Sequence, residues 1–186
     1  MSRSDLLAML PHIDRARTAQ GFLTIADMLA RFGADNAIPD PFSILISDHV
    51  QIGRDNVFYP GTLLAATDGG TITIGDGNQF GEGGVTIRAT AGQHINIGNH
   101  TRLMRAAVIL GDSTLGDGSQ VLGPIQAVAI TLAAGGSWRD ADVAGRGAVL
   151  KGFGTARQIS VPRGMVINGN GGPFSPDMIE PQTNYH

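Results

Sequence analysis

A mainly β fold, a solenoid of parallel strands preceded by an N-terminal helical segment, is the class this sequence predicts. Three observations predict it. Aliphatic residues or phenylalanine recur every six positions in one phase, starting at Ile46, Ile52, Phe58 and Leu64. The fifth place of many hexads holds a small or turn-tolerant residue: Val50, Asn56, Thr62, Asn78, Gly84, Thr101, Ala107, Ser113 and Ser119. The 27 glycines show no collagen period, which leaves frequent tight turns as their use. An amphipathic helix cannot give this pattern, because its 3.6-residue period would scatter aliphatics and glycines around the axis. One aliphatic side chain per hexad points inward and stacks on its equivalent in the next coil, and a small residue fits each corner. Coils stacked at about 4.8 Å, the strand spacing, make a prism ~30 Å tall from six of them.

The elements follow in order. Residues 4–34 read as helical, with SDLLAMLPHI interrupted by Pro11. TIADMLARFG then offers Thr24 as N-cap, Ile25, Met28, Leu29 and Phe32 as an apolar stripe, and Gly33 as the stop. IPDP at 38–41 ends the helical pattern, so 1–37 reads as a helical segment, 38–172 as the β domain and 173–186 as an irregular tail. Within the β domain the hexads continue from Ile74, Phe80 and Thr86, then from Ile97, Leu103, Ile109, Leu115, Val121 and Ala127. They resume at Val143, Val149 and Val161. Extra residues fall after Leu64, after Thr86 and after Ala127, and counting hexads in threes places all three insertions at one corner. A longer repeat agrees: ATDGGTITIGDGNQF (66–80) aligns without gaps on ATAGQHINIGNHTRL (89–103), and LAAGGSW (132–138) echoes the same loop. Loops gathered along one edge of a repeat fold either form a binding site or simply cover coil edges.

Composition narrows the function. Charged residues make up only 16% and the net charge is −3, which argues against nucleic acid and acidic membrane surfaces, since both need a basic face. The absence of cysteine removes disulfides, thiolate zinc sites and cysteine nucleophiles. The N-terminus does not read as a signal peptide and no segment has the length of a membrane span. A cytoplasmic location is the expectation.

The hexads resemble the left-handed β-helix proteins of the transferase-hexapeptide class, which includes acyltransferases and γ-class carbonic anhydrases. The closer similarity, over roughly 44–170, is to γ-carbonic-anhydrase-like proteins. It is carried by YPGTLL (59–64), GGTITIGDGNQFGEGGVTI (69–87), IGNHTRLMRAAVILGDSTLGDGSQVLG (97–123) and VPRGMVINGNGG (161–172). The resemblance implies left-handed winding, a homotrimer and ligand clefts between subunits. It also implies a zinc bound by three histidines, and those slots fall on Ile87, Arg105 and Leu110. Ile87 and Leu110 cannot ligate zinc, and Arg105 sets a cation where the metal would sit. No metal site and no zinc-hydroxide chemistry is therefore expected. Ala65 falls near the family's arginine, with Thr67 or Asp68 nearest its aspartate. Gly81 takes its glutamine slot, with Glu82 beside it.

Of the five histidines, His94 and His100 replace Thr71 and Gly77 of the first repeat copy, as solvent-facing positions allow. Acyltransferases of the class use a histidine in the inter-subunit cleft as general base toward an acyl thioester. By that analogy His94 is the first catalytic candidate, His100 the second, and an acyl-CoA the implied co-substrate. His49 falls near the same corner as His94, about 10 Å away along the axis, so a shared metal site would need a second chain. Glu82, Arg102 and Arg105 fall near the former metal position and read either as an anion-binding pocket or as an ion pair. Trp138, in a Gly-rich loop, either lids a pocket or docks on the prism. The functional expectation is an acyltransferase-like protein binding a small molecule between subunits, the alternative a non-catalytic trimeric scaffold.

Overall fold

The computed structural model describes residues 3–185, with side chains from Ala8 onward. It is mainly β, with two N-terminal helices, α1 (Arg3–Thr18) and α2 (Ile25–Phe32). Pro11 lies inside α1 without ending it: the ring removes one backbone donor on an exposed stretch, and the helix continues for two more turns. Thr24 caps α2 by accepting a hydrogen bond from Asp27 N at 3.0 Å. Ile25, Met28 and Phe32 are buried, whereas Leu29 lies toward solvent.

The strands come in tiers of three. The first tier is β1 (Leu45–Ile46), β2 (Val50–Ile52) and β3 (Val57–Phe58). The second is β4 (Thr62–Ala66), β5 (Thr71–Ile74) and β6 (Gln79–Gly81). Then follow β7 (Val85–Ala89), β8 (His94–Ile97) and β9 (Arg102–Met104). The fourth tier is β10 (Ala107–Leu110), β11 (Ser113–Leu115) and β12 (Gln120–Leu122). After β13 (Ile125–Val128) and β14 (Thr131–Leu132) comes the long β15 (Val149–Arg157). Last are β16 (Ser160–Val161), β17 (Met165–Pro173) and β18 (Ile179–Pro181).

Each strand pairs in parallel with the equivalent strand of the next tier, giving three rows. Row one begins β1, β4, β7, β10, β13; row two is β2, β5, β8, β11, β14, β16; row three begins β3, β6, β9, β12. The first half of β15 pairs with β12 and its second half with β13, so this strand joins rows three and one into a single curled sheet. Such a layout is compatible with a parallel β-helix. Among the described residues no helix is long and apolar enough to cross a membrane.

Inward residues stack in register. Row one carries Ile46, Leu64, Ile87, Ile109, Ala127 and Ala156; row three carries Phe58, Phe80, Leu103, Val121, Leu150 and Ile167. All twelve are buried, and each large one contributes about 1.5–3 kcal/mol. Phe58 and Phe80 stack with ring centroids 4.9 Å apart. Two hexad positions are thereby corrected by one residue. Ile87, not Thr86, points inward, because Glu82-Gly83-Gly84 adds a residue at the preceding corner; Leu150, not Val149, does so after the long loop.

The insertions are also redistributed. Those after Leu64 and Ile87 lie between rows one and two, but the third lies between β14 of row two and β15 of row three. The corner residues behave as expected of a fifth position: Asn56, Asn78 and Thr101 are buried in a ladder. Asn56 Oδ1 accepts from Asn78 N at 2.9 Å, and Asn78 Oδ1 from Thr101 N at 2.7 Å.

The helices pack on the first tier. Met28 and Phe32 join Ile44 and Ile46 in the core, and buried Arg17 donates to the carbonyls of Leu23 (2.8 Å) and Ile44 (2.9 Å). At the other end, the segment expected to be irregular instead folds back, with β18 antiparallel to β17.

Candidate anion site on row three

Alternation along each strand sends every second side chain of row three outward. Those residues form two vertical ladders: Gln79, Arg102, Gln120, Val149 and Val166, and beside them Gly81, Met104, Leu122, Lys151 and Asn168. Outward residues should meet water, yet Val149 (5%) and Val166 (3%) retain little exposure, and Gln120 is buried too.

Two segments account for this. The loop between rows two and three leaves at Gly136 and returns at Arg146, which bridge to each other. Gly118, at φ +69°, is needed under it, since a Cβ there would come within 2.1 Å of the Gly136 carbonyl oxygen. Arg146 braces the loop through hydrogen bonds to the Asp140 carbonyl (2.9 and 2.6 Å), and Arg163 through one to the Gly145 carbonyl (2.9 Å). From the opposite side comes the C-terminal segment. Buried Gln182 donates to the carbonyls of Gly147 (2.7 Å) and Met165 (3.2 Å), and the Lys151 ammonium lies 4.8 Å from the centre of the Tyr185 ring.

These walls enclose a cavity of about 300 Å³ lined by Val149, Val166, Leu122, Gln120, Trp138 and Tyr185, with Arg102, Arg146, Lys151 and Gln182 at its polar edges. A second cavity of about 620 Å³ adjoins it, lined by Glu82, Arg105, Met104, Pro124, Phe153 and the backbone around Gly123 and Gly152. Arg102, Leu122 and Lys151 line both, so the two form one groove.

Arg102 is its electrostatic centre. The guanidinium carbon lies 4.3 Å from the centre of the Trp138 ring, and that of Arg139 lies 4.6 Å from the same ring. Its Nη2 contacts Met104 Sδ at 3.3 Å, and its buried Nε has no hydrogen-bond partner. Burial lowers its proton affinity most; Arg139 and Arg105 lower it further, while Glu82 raises it. Among the described residues no ion pair joins Glu82 to Arg102 or Arg105. Arg105 stands on the corner between rows three and one at φ +59°, followed by Ala106 at +61°, with its N–H donating to Glu82 O at 2.7 Å. Two adjacent non-glycine residues in the left-handed region cost about 1–2 kcal/mol each, and the same conformation recurs at other corners, at Asp55, Asp68, His100 and Ala129. The groove thus presents several cations and one carboxylate.

Of the residues singled out from sequence, Glu82, Arg102, Arg105 and Trp138 all line this groove. Lys151, Gln182 and Tyr185 were missed; the outward phase of Lys151 was a usable signal, but nothing in the repeat reaches the last two. His94 and His100 line neither cavity. His94 is exposed on row two, with Nδ1 2.8 Å from Thr71 Oγ1 and its backbone N–H donating to Asp112 Oδ1 at 2.7 Å. His100 is exposed at the corner between rows two and three at φ +54°, its ring against Gly77. His49 is also exposed, and His186 lies outside the described residues.

No protein-family model matches this chain, and no curated protein matches it.

The three slots that the resemblance assigned to zinc ligands do not share a face within one chain. Ile87 is buried in the core of row one, and the outward residue level with Leu110 is Arg88. Arg105 sits on the groove side of another corner.

Proposed function

We propose that the chain is a left-handed parallel β-helix of the transferase-hexapeptide class, assembled as a homotrimer, whose row-three groove binds a small organic anion. The convergence of Arg102, Arg105 and Lys151 on one groove carries this reading. A bound oxyanion would offset the repulsion that Arg139 and Arg105 exert on Arg102. The polarity of the rows supports the assembly. Row two turns Thr71, Thr73, Asn96, Thr114 and Thr131 outward, whereas row one sets Leu63, Val108, Leu110 and Val128 among Arg88, Gln126 and Arg157, a mixed face that could be buried against a copy. A cytoplasmic setting accompanies this reading.

Acyl transfer is the second reading. The phosphates of an acyl-CoA suit the groove's cations, and Thr71 orients His94 with the imidazole exposed. Among the described residues of one chain no histidine lines the groove, and this reading takes His94 from a neighbouring subunit as its base. Trp138 is the only tryptophan, so its fluorescence reports the site directly. Titration with inorganic phosphate, acetate and coenzyme A should give a saturable change that Arg102→Met abolishes. A flat response to all three overturns the anion-site reading and leaves the non-catalytic scaffold.

A further inference from the structure

Granting the anion site, on which this depends, we infer that its ligand is an amphipathic anion: a carboxylate or phosphate head held by Arg102, Arg105 and Lys151, carrying an apolar acyl or aryl body in the smaller cavity. A bare anion would need only the cationic end. The smaller end of the groove adds an apolar floor of Val149, Val166 and Leu122 between Trp138 and Tyr185, with Arg146, Gln120 and Gln182 at its edges. The floor residues are sheet residues that would otherwise be wet. The chain covers Val149 and Val166 with two segments from outside the tiers, the 136–146 loop and the C-terminal segment, which pairs with β17 through β18 and is pinned by Gln182.

The dimensions agree. Arg102, Gln120, Val149 and Val166 occupy successive strands, so the groove climbs three strand spacings, or ~14 Å, from the guanidinium to the far valine. A head at Arg102 therefore leaves about 10 Å for a body, the length of a medium acyl chain or a substituted ring. The volume of about 300 Å³ accommodates either. Arg102 and Lys151 line both cavities, so they sit where head and body join. Glu82, next to Arg105 in the larger cavity, disfavours a second anionic group there and limits the ligand to one anionic end.

Calorimetric titration of the full chain with matched pairs tests this: acetate against octanoate, and inorganic phosphate against phenyl phosphate. The expected result is at least ~10-fold tighter binding of the member with an apolar body in one or both pairs. Whether the carboxylate or the phosphate pair binds identifies the head. Val149→Phe, which fills the apolar end, should reduce the advantage to about onefold, with circular dichroism establishing that it folds. Equal affinities within both pairs overturn the inference and leave the anion site standing, as does an advantage that survives in folded Val149→Phe. Failure of all four probes to bind overturns the anion site itself. If Val149→Phe does not fold, the wild-type ratios alone decide.

Discussion

Replacing Arg102 by methionine should make the ligand-free protein more stable while removing its anion binding. Methionine keeps the unbranched stem between Trp138 and Met104 but removes the buried Nε that has no acceptor. Relief of that donor is worth about 1–3 kcal/mol. Against it stands the lost cation–π contact at 4.3 Å, about 0.5–2 kcal/mol for a partly desolvated pair. Arg105 and Arg139 also oppose the charge, and only Glu82 supports it. The balance is a gain of about 1 kcal/mol, which in a chain of this length raises the thermal midpoint by about 2–4 °C. Calorimetry in a buffer without multivalent anions measures it. Adding phosphate should then raise the wild-type midpoint and leave the variant's unchanged. A variant melting several degrees below wild type in the same buffer would refute the reasoning, because Arg102 would then be a satisfied structural residue.

Phe80→Ala should cost about 3–5 kcal/mol in chemical denaturation, since it empties the middle of the row-three ladder and unstacks Phe58. Val108→Asp, on the outward face of row one, should reduce the mass measured by light scattering from a trimer to one chain. A wild type already of single-chain mass would refute the assembly. Glu180 is held below the usual carboxylate range, first by the Tyr185 hydroxyl and then by Asn184. Its contribution is therefore present above the unfolded carboxylate pKa and lost as pH falls through the lower folded value. The small difference in thermal midpoint between wild type and Glu180→Gln should narrow as pH falls below about 4, and a difference that widens would contradict this sign.

The core was legible because its period is a property of inward residues, and inward residues in a stacked repeat have one job. Ile46, Leu64, Ile109, Phe58, Phe80, Leu103 and Val121 all stand where a count by six places them. The count slipped where the chain added a residue without changing its chemistry. Gly83 and Gly84 could each have been the corner, and Val149 and Leu150 are equally apolar, so only strand register separates inward from outward. The third insertion was assigned to the wrong corner for a related reason. LAAGGSW resembles the earlier loops in composition, but a five-residue step from Ala127 to Leu132 had already advanced the chain to row two.

The groove was half legible, and the half that was missed explains what the site needs. Glu82, Arg102 and Arg105 belong to tiers two and three, where the repeat fixes their neighbours, so alignment alone set them together. The dry end depends on residues that no period constrains: Trp138 in a loop, and Gln182 and Tyr185 in a segment that returns against β17 only after the tiers end. A solenoid face by itself is a flat sheet with one exposed ladder of side chains beside another. It becomes a pocket when segments outside the repeat are folded across it: here the 136–146 loop brings Trp138 over Arg102, and the C-terminal segment covers the tiers of Val149 and Val166 beyond it. His94 has no such cover. Its row is lined with threonines and asparagine open to water, so in a single chain nothing lowers the dielectric around its imidazole or holds an acceptor against it. If His94 acts as a base, a second chain must supply that enclosure; dissociation by Val108→Asp should then abolish transfer while leaving the anion site of each chain able to bind.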